Sequence, residues 1–481
     1  MSESLKNKTL SGVFWGFMEK FSVQIISFIQ GVILARLLTP ADFGLVAMVG
    51  VFTAVSGALA DSGFASALIR KKNKEEIDYS TVFDINLVLS FFLMLVLMAF
   101  SKLIADFYHE PVLVKIVCLN AILLFLGSCT GVQWIRMTSN LQFRKMSEMS
   151  IINSFFTGIL SISLAYCGFG VWSLIYPGFF TIVLNFFLYW HFQHWLPGFK
   201  FSWKSCKELF GFGSKMLATV LLSTICDNLS PIIIGKKYNK SDLGYYSRGV
   251  SFSQLPSTTI TGVLAKVAYP ILSEIQDDDE RLGKAYRKLL RLSAFLVFPI
   301  MMGLAALAHP IIRVMITSKW EPAVVYLQLL CFSLMWYPIH ALNLNLLKVK
   351  GRSDWYLKLE IIKRSIGILV LFITVPISIF AMCIGQVITS YFSLFINTHY
   401  TGKILSLDFL AQMRDLLPSF FYSLSMGGLV YLLSSLFDND WLKIIVGIIF
   451  GVTYYFFVSF IFKSKELSYL LDLVKSSHLI R

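Results

Sequence analysis

The chain has 481 residues, of which 56% are hydrophobic and only 15% charged, with Phe alone supplying 43. A soluble multidomain protein is excluded, because apolar stretches of about 20 residues recur from end to end, each long enough for a helix to cross a ~30 Å hydrocarbon core. The formal net charge of +14 does not point to nucleic acid, since the basic residues sit in short loops between those stretches.

The opening MSESLKNKTLSG is polar, and the first apolar run, 12–37, contains Glu19 and Lys20 without a small-residue cleavage site. That run is expected to be the first span and not a cleavable signal peptide. Further spans are expected near 43–69, 80–105, 112–135, 149–168 and 171–190, then 209–235, 242–269, 292–316, 322–346, 356–375 and 378–400, and finally 416–436 and 441–462. Breaks fall where Pro, Gly and charge cluster, as in TPAD (39–42), HEP (109–111), LPG (196–198) and TSKWEP (317–322). Two connections have their own character. Residues 197–208 interleave Phe199, Phe201 and Trp203 with three lysines, which suits an interfacial tether. Residues 273–291 start acidic and become basic, as a capped surface helix does. No loop is large enough for a soluble catalytic module.

Orientation follows from Lys and Arg. With the N-terminus placed in the cytoplasm, 29 basic residues fall on that side, 9 on the other, and four (Lys20, Lys215, Arg248 and Lys266) inside spans. The bias alternates loop by loop, so both termini are expected to be cytoplasmic in a multi-pass membrane protein.

Residues 39–48, TPADFGLVAM, and residues 239–248, NKSDLGYYSR, share a pattern. Each places a cap-type residue (Thr39, Asn239) three before an Asp (Asp42, Asp242), followed by an apolar residue and Gly (Gly44, Gly244). Both copies join the first and second spans of a six-span block, so they share an orientation and predict two halves related by an axis along the membrane normal. The expected fold is therefore an all-α polytopic protein of 14 transmembrane helices: two six-helix bundles related by a pseudo-two-fold, plus two C-terminal helices. The domains are 1–195, an interfacial linker 196–208, 209–402, and 403–481 with the two added helices and tail. Locally, Thr39 or Asn239 can accept hydrogen bonds from the first free amides of the next helix, with Pro40 at its first position and the Asp in its first turn.

Catalytic signals are absent: there is no GxxxxGK[ST], HExxH or GxSxG, so neither a nucleotide site nor an enzyme is expected. The seven cysteines are scattered without a CxxC spacing, and His191 and His194 sit between Trp190 and Trp195, so no metal or other cofactor is expected. Polar residues inside spans carry more information. Lys20, Gln24, Ser27 and Gly31 share one face of the first span; Thr53, Ser56, Gly57 and Asp61 lie on the second. The seventh has Lys215, Thr219, Ser223, Cys226 and Ser230 with Asp227 and Asn228 beside them; the eighth has Ser247, Ser251, Gln254, Thr258 and Thr261 flanked by Arg248. These faces either line a hydrophilic cavity shared by the halves or bond helix to helix. The substrate-binding residues expected in such a cavity are Lys20, Gln24, Asp61, Lys215, Asp227, Asn228, Arg248 and Gln254. Glu19, Asp61, Asp84 and Asp227 can hold a proton or cation or neutralise nearby lysines. GVFWG (12–16) and GIIFG (447–451) are read as close helix packing.

Several stretches carry a family resemblance: LTPADFGLVAM (38–48), DSGFASALIRKK (61–72), LGYYSRG (243–249), AYPILSEIQDDDERLGKAYRKLLRL (268–292) and KWEPAVVYLQLL (319–330). They resemble polysaccharide transporters of the MOP flippase superfamily, in the branch of colanic-acid and teichuronic-acid exporters related to O-antigen flippases. The resemblance implies twelve core helices around a central cavity plus two extra helices. It also implies movement of undecaprenyl-pyrophosphate-linked oligosaccharide between leaflets by alternating access. The implied partners are the lipid-linked glycan, membrane lipids and H+ or Na+ as coupling ion. The alternatives are a cation-coupled small-molecule or multidrug exporter of the same superfamily and a flippase for peptidoglycan lipid II.

Overall fold

In the computed structural model the apolar runs fold as helices, because backbone polar groups in a hydrocarbon layer must be paired within their own segment. The structure describes residues 3–61, 63–71, 74–193, 195, 198 and 200–469; the side chains of 3–11, Val13, Gln193, Phe212, Lys215 and Val267 lie outside that description, as does all of His194. The first helices in chain order are α1 (Glu3–Leu37), α2 (Pro40–Asp61), α3 (Phe64–Arg70), α4 (Glu76–Tyr108), α5 (Leu113–Ser139) and α6 (Phe143–Tyr166). Next come α7 (Trp172–Gln193), α8 (Trp203–Lys237), α9 (Lys240–Glu274), α10 (Asp279–Ala306), α11 (Ala308–Ile316) and α12 (Ala323–Leu334). The last are α13 (Tyr337–Val349), α14 (Ser353–Thr374), α15 (Ile379–Leu405), α16 (Phe409–Ser434) and α17 (Asp440–Ile461).

Twelve stretches among the described residues are long and apolar enough to cross a membrane, with α2 and α3 forming one and α12 and α13 another. This is a multi-pass helical membrane protein. The expected eighth and eleventh spans are also helices, α9 and α14, but neither is among the twelve. The reasons differ: α9 is diluted by Ser251, Ser253, Gln254, Ser257, Thr258, Thr259 and Thr261, whereas α14 carries Asp354, Lys358, Glu360, Lys363 and Arg364. The surface helix expected over 273–291 is the first part of α10, capped by Asp278, whose carboxylate accepts from Arg281 N at 3.0 Å.

Helix faces are arranged for lipid. On α17, Gly447, Gly451, Tyr455 and Ser459 are buried at a four-residue spacing, while Ile448, Ile449, Val452, Phe456, Phe457 and Phe460 are exposed. Small residues inward and bulky apolar ones outward is the pattern of a membrane bundle. A Cβ on Gly447 would come within 2.8 Å of Leu307, and one on Gly451 within 3.2 Å of Val430, so GIIFG is a packing site. In GVFWG, Gly12 meets Phe143 in the same way, whereas Gly16 has no neighbour within 4 Å.

The chain forms two units, Met1–Gly244 and Tyr245–Arg481. In the first, both polar knots begin helices as their sequence predicts. Thr39 Oγ1 accepts from Asp42 N (3.3 Å) while the Asp42 carboxylate accepts from Thr39 N (2.9 Å), a reciprocal cap; Asn239 Oδ1 accepts from Asp242 N at 2.8 Å. The glycines have a further role. A Cβ on Gly44 would sit 1.7 Å from Lys240 O, and one on Gly244 2.0 Å from Pro40 O. The starts of α2 and α9 thus cross backbone to backbone, each glycine under the other helix's first carbonyl. Lys240 also pairs with Glu110 at 2.9 Å.

The stretch entering α8 is seated on the start of α4. Trp195 Nε1 donates to Glu76 (2.7 Å), which also pairs with Arg136 (2.6 Å), and Ser202 N donates to Thr81 Oγ1 at 3.1 Å. Gly63, at φ 68°, separates α2 from α3; a Cβ there would fall 2.2 Å from Gly213 O of α8. Only glycine satisfies both that backbone conformation and that approach.

In the second unit α10 packs on α16, and α16 on α17. The α12–α13 span breaks at Pro338, which has no N–H to offer the carbonyl of Leu334. Ser257 Oγ of α9 donates to that carbonyl instead, at 2.8 Å. A buried polar knot joins α10, α13, α15 and α16. Asn343 Oδ1 accepts from Tyr286 OH (2.9 Å) and Thr401 Oγ1 (2.6 Å), and Gln412 Nε2 donates to Thr398 O at 3.1 Å. Beside it Arg287 grips Asp415 with two hydrogen bonds, 2.6 and 2.9 Å.

Candidate functional site: a polar cavity among α1, α6 and α7

Three helices of the first unit line an open cavity of about 580 Å³. Helix α1 contributes Gly16, Glu19, Lys20, Gln24, Ser27 and Gln30; α6 contributes Ser150, Asn153, Ser154 and Thr157; α7 contributes Thr181, Asn185 and Tyr189. Helical spacing puts them there. On α6 the four fall at i, i+3, i+4 and i+7, and on α7 the three at i, i+4 and i+8, each set on one face. Both helices otherwise carry Phe, Ile and Leu, so their polar rows turn inward and their apolar sides face lipid.

Part of the polar lining is committed. Asn153 Nδ2 donates to Asn185 Oδ1 (2.8 Å), Thr157 Oγ1 donates to Asn153 Oδ1 (3.1 Å), and Thr157 and Thr181 share a hydroxyl bond of 2.8 Å. This ladder ties α6 to α7. Gln30 Nε2 donates to Ser161 Oγ at 3.0 Å, and the Glu19 carboxylate accepts from Ser147 Oγ at 3.1 Å, tying α1 to α6. Near the Glu19 end, the Arg144 guanidinium lies 5.2 Å from the Trp15 ring centre while bonding Glu148 at 2.8 Å.

Two of the eight residues expected at the site, Lys20 and Gln24, line this cavity, as does Ser27 from the same predicted face. Gly31 is not among its lining residues; Gln30 takes that end. Asp61 is the exposed last residue of α2. On α8, Asp227 is exposed and Asn228 turns its amide back to Thr224 O at 2.8 Å, while the Lys215 side chain lies outside the described residues. In the second unit Arg248 lies over the Trp320 ring at 5.9 Å, and Gln254 is exposed on α9. The rows of α6 and α7 were not anticipated. Their signal was present as helical spacing, but they bear no charge and lie among phenylalanines, and attention to charged residues passes over them.

The family model described as "Polysaccharide biosynthesis protein" matches residues 33–325, more than half of the chain. The succinoglycan biosynthesis transport protein ExoT of Rhizobium meliloti (strain 1021) is 26% identical over 334 residues, 69% of this chain and 68% of that one. The teichuronic acid biosynthesis protein TuaB of Bacillus subtilis (strain 168) is 26% identical over 358 residues, 73% of each chain. The lipopolysaccharide biosynthesis protein WzxC of Escherichia coli (strain K12) is 25% identical over 369 residues, 75% of this chain and 74% of that one. Among solved structures, the lipid II flippase MurJ in an inward closed conformation gives a TM-score of 0.76 at 18% identity, covering 94% of this chain and 98% of that one. An inward-facing multidrug resistance MATE transporter of the MOP superfamily gives 0.62 at 14%, covering 80% and 96%. At such identities the likeness is one of fold. The chain belongs to the polysaccharide biosynthesis protein family, built on the helical fold that these MOP-superfamily transporters share.

Proposed function

We propose that this protein moves undecaprenyl-pyrophosphate-linked oligosaccharide repeat units across the bacterial cytoplasmic membrane by alternating access, for surface polysaccharide biosynthesis. The observation that carries the reading is the cavity, where amides and hydroxyls of three otherwise apolar helices converge. Polar groups on membrane-spanning helices are costly unless they meet a polar partner, and a polar cargo accounts for them. A lipid-linked glycan has the matching division: its headgroup needs such a lining while its polyprenyl tail stays in the bilayer. Family membership and the transport and biosynthesis names of the relatives support the same class. The protein is thus read as a transporter and not an enzyme, energised by an H+ or Na+ gradient or by the cargo's own gradient.

In the fuller form of this reading α9 and α14 also cross, giving fourteen spans. Residues 1–195 and 209–402 are two six-helix bundles joined by 196–208 and followed by 403–481. The reciprocal approach of Gly44 and Gly244 supports a pseudo-two-fold between them, because a two-fold contact pairs i with j and j with i. The distribution of Lys and Arg supports cytoplasmic termini. Asp61, Lys215, Asp227, Asn228, Arg248 and Gln254 are assigned to the cargo's path beyond the α1–α6–α7 cavity, with the cations for the pyrophosphate.

The test is flipping of a defined lipid-linked glycan in proteoliposomes. The protein is expected to flip it well above protein-free vesicles, and Lys20→Ala combined with Lys215→Ala to slow it by about tenfold or more. A rate equal to that of empty vesicles would overturn the reading. The MATE likeness favours a second reading, a cation-coupled small-molecule exporter, and the MurJ likeness a lipid II flippase. A fluorescent lipophilic cation under an imposed Na+ or H+ gradient, and lipid II in the same vesicles, separate the three.

A further inference from the structure

The geometry of the first-unit cavity points to a specific occupant: we infer that it is a subsite for one uncharged sugar ring of the cargo, read by open amide and hydroxyl groups of α1, α6 and α7. The inference rests on the transport reading and narrows it.

The ladder that ties α6 to α7 consumes Asn185 Oδ1 but leaves the two N–H groups of Asn185 Nδ2 unspent. The Gln24 amide and the hydroxyls of Ser27, Ser150 and Ser154 make no hydrogen bond to another described residue. Asn185 is anchored rather than free to wander: it is held by Asn153, and Asn153 in turn by Thr157. The cavity therefore presents a set of neutral donors and acceptors with Asn185 fixed among them. A pyranose presents the same inventory, since each ring hydroxyl both donates and accepts without charge, and an acetamido group adds one of each. The volume, about 580 Å³, lies within the ~300–1,000 Å³ of small-molecule sites.

Charge decides between sugar classes. The ionised side chains lining the cavity are Glu19 and Lys20, adjacent and opposite in sign, so an anion entering finds no net attraction. Glu19 is further fixed by Ser147. A uronic acid would lose its hydration beside a Lys20 offset by its neighbour Glu19, and would meet the Glu19 carboxylate. An uncharged hexose or acetamido sugar meets neither cost. Asn185 is the residue that reads the sugar ring, because it combines a fixed position with two unspent donors.

Three lipids test the inference by binding to the full-length protein in nanodiscs: undecaprenyl pyrophosphate carrying N-acetylglucosamine, the same carrier with galacturonic acid, and the bare carrier. The wild type is expected to prefer the N-acetylglucosamine lipid over the galacturonic acid lipid by about tenfold or more. Asn185→Asp keeps the acceptor for Asn153 but replaces the open donors with a charge. It is expected to weaken binding of the N-acetylglucosamine lipid by about tenfold, with no gain for the galacturonic acid lipid, while leaving binding of the bare carrier within about twofold. Ser154→Lys is expected to raise affinity for the galacturonic acid lipid, a gain that misfolding does not produce. Equal wild-type binding of both sugars, or unchanged binding of the N-acetylglucosamine lipid by Asn185→Asp, would overturn the sugar assignment while transport stands. Wild-type binding of none of the three would overturn the transport reading and the subsite with it.

Discussion

Two polar networks, one in each unit, end in opposite ways. In the second, Tyr286, Asn343, Thr401 and Gln412 turn on one another until hardly a side-chain polar atom is left over, and all four are essentially inaccessible to solvent. In the first, Asn153, Thr157, Thr181 and Asn185 form a comparable chain, but it ends in unspent donors beside a 580 Å³ cavity. The same residue types are used in both places. What differs is closure. A satisfied network rigidifies the helices it joins, whereas one left open at an edge holds binding groups in place. Polar residues inside spans are therefore informative through their unspent valences and not through their number.

Substitutions can break this comparison, and the harshest touches neither region. Gly44→Ala or Gly244→Ala drives a Cβ into a backbone carbonyl. Each is expected to cost more than about 4 kcal/mol and to abolish the folded fraction, read by size-exclusion chromatography in detergent. This sets the scale for the rest. Asn343→Ala removes the hub of the closed network and is expected to destabilise by about 3 kcal/mol, seen as a lower thermal midpoint, with flipping per folded molecule unchanged. A loss of flipping without a loss of stability would mean that the network is part of the site.

Thr317→Gly should act in the opposite direction. Thr317 sits at φ 79° and ψ 166°, a region that suits glycine alone, so the change is expected to raise stability by about 1 kcal/mol. Gln24→Leu sharpens the contrast from the other side. It removes an amide bonded to no other described residue, so stability should move by less than about 0.5 kcal/mol while flipping falls about tenfold or more. If Gln24→Leu destabilised as Asn343→Ala does, the distinction between open and closed networks would fail.

Much of the fold was legible because period and length are direct consequences of the bilayer. The apolar runs, the caps at Thr39 and Asn239 and the face of Lys20, Gln24 and Ser27 follow from spacing alone. The breaks were less visible. Gly63 gave a single glycine's worth of signal, and the reason for it, the approach of Gly213 O, lies 150 residues away in sequence. The Pro338 interruption survives because Ser257 repairs it from another helix, which no local pattern reveals. The site was half legible. Lys20 and Gln24 stood out through charge and amide character, whereas Ser150, Asn153, Ser154, Thr157, Thr181 and Asn185 were hidden by their neutrality. Their helical periodicity was readable, but which helices face one another is decided by packing.

The crossing of Gly44 and Gly244 has a consequence for how such a chain can diversify. The atom that forbids a side chain at either glycine is a main-chain carbonyl oxygen, on Lys240 in one case and Pro40 in the other. A side-chain obstacle can be trimmed by a second substitution, but a backbone obstacle has no residue to mutate. No compensating change therefore exists, and both positions are frozen whatever the cargo. Gln24, Ser27, Ser150 and Ser154 of the cavity, bonded to no other described residue, are under no such lock. New sugar preferences have to arise by rewriting that lining while the glycine crossing is inherited unaltered.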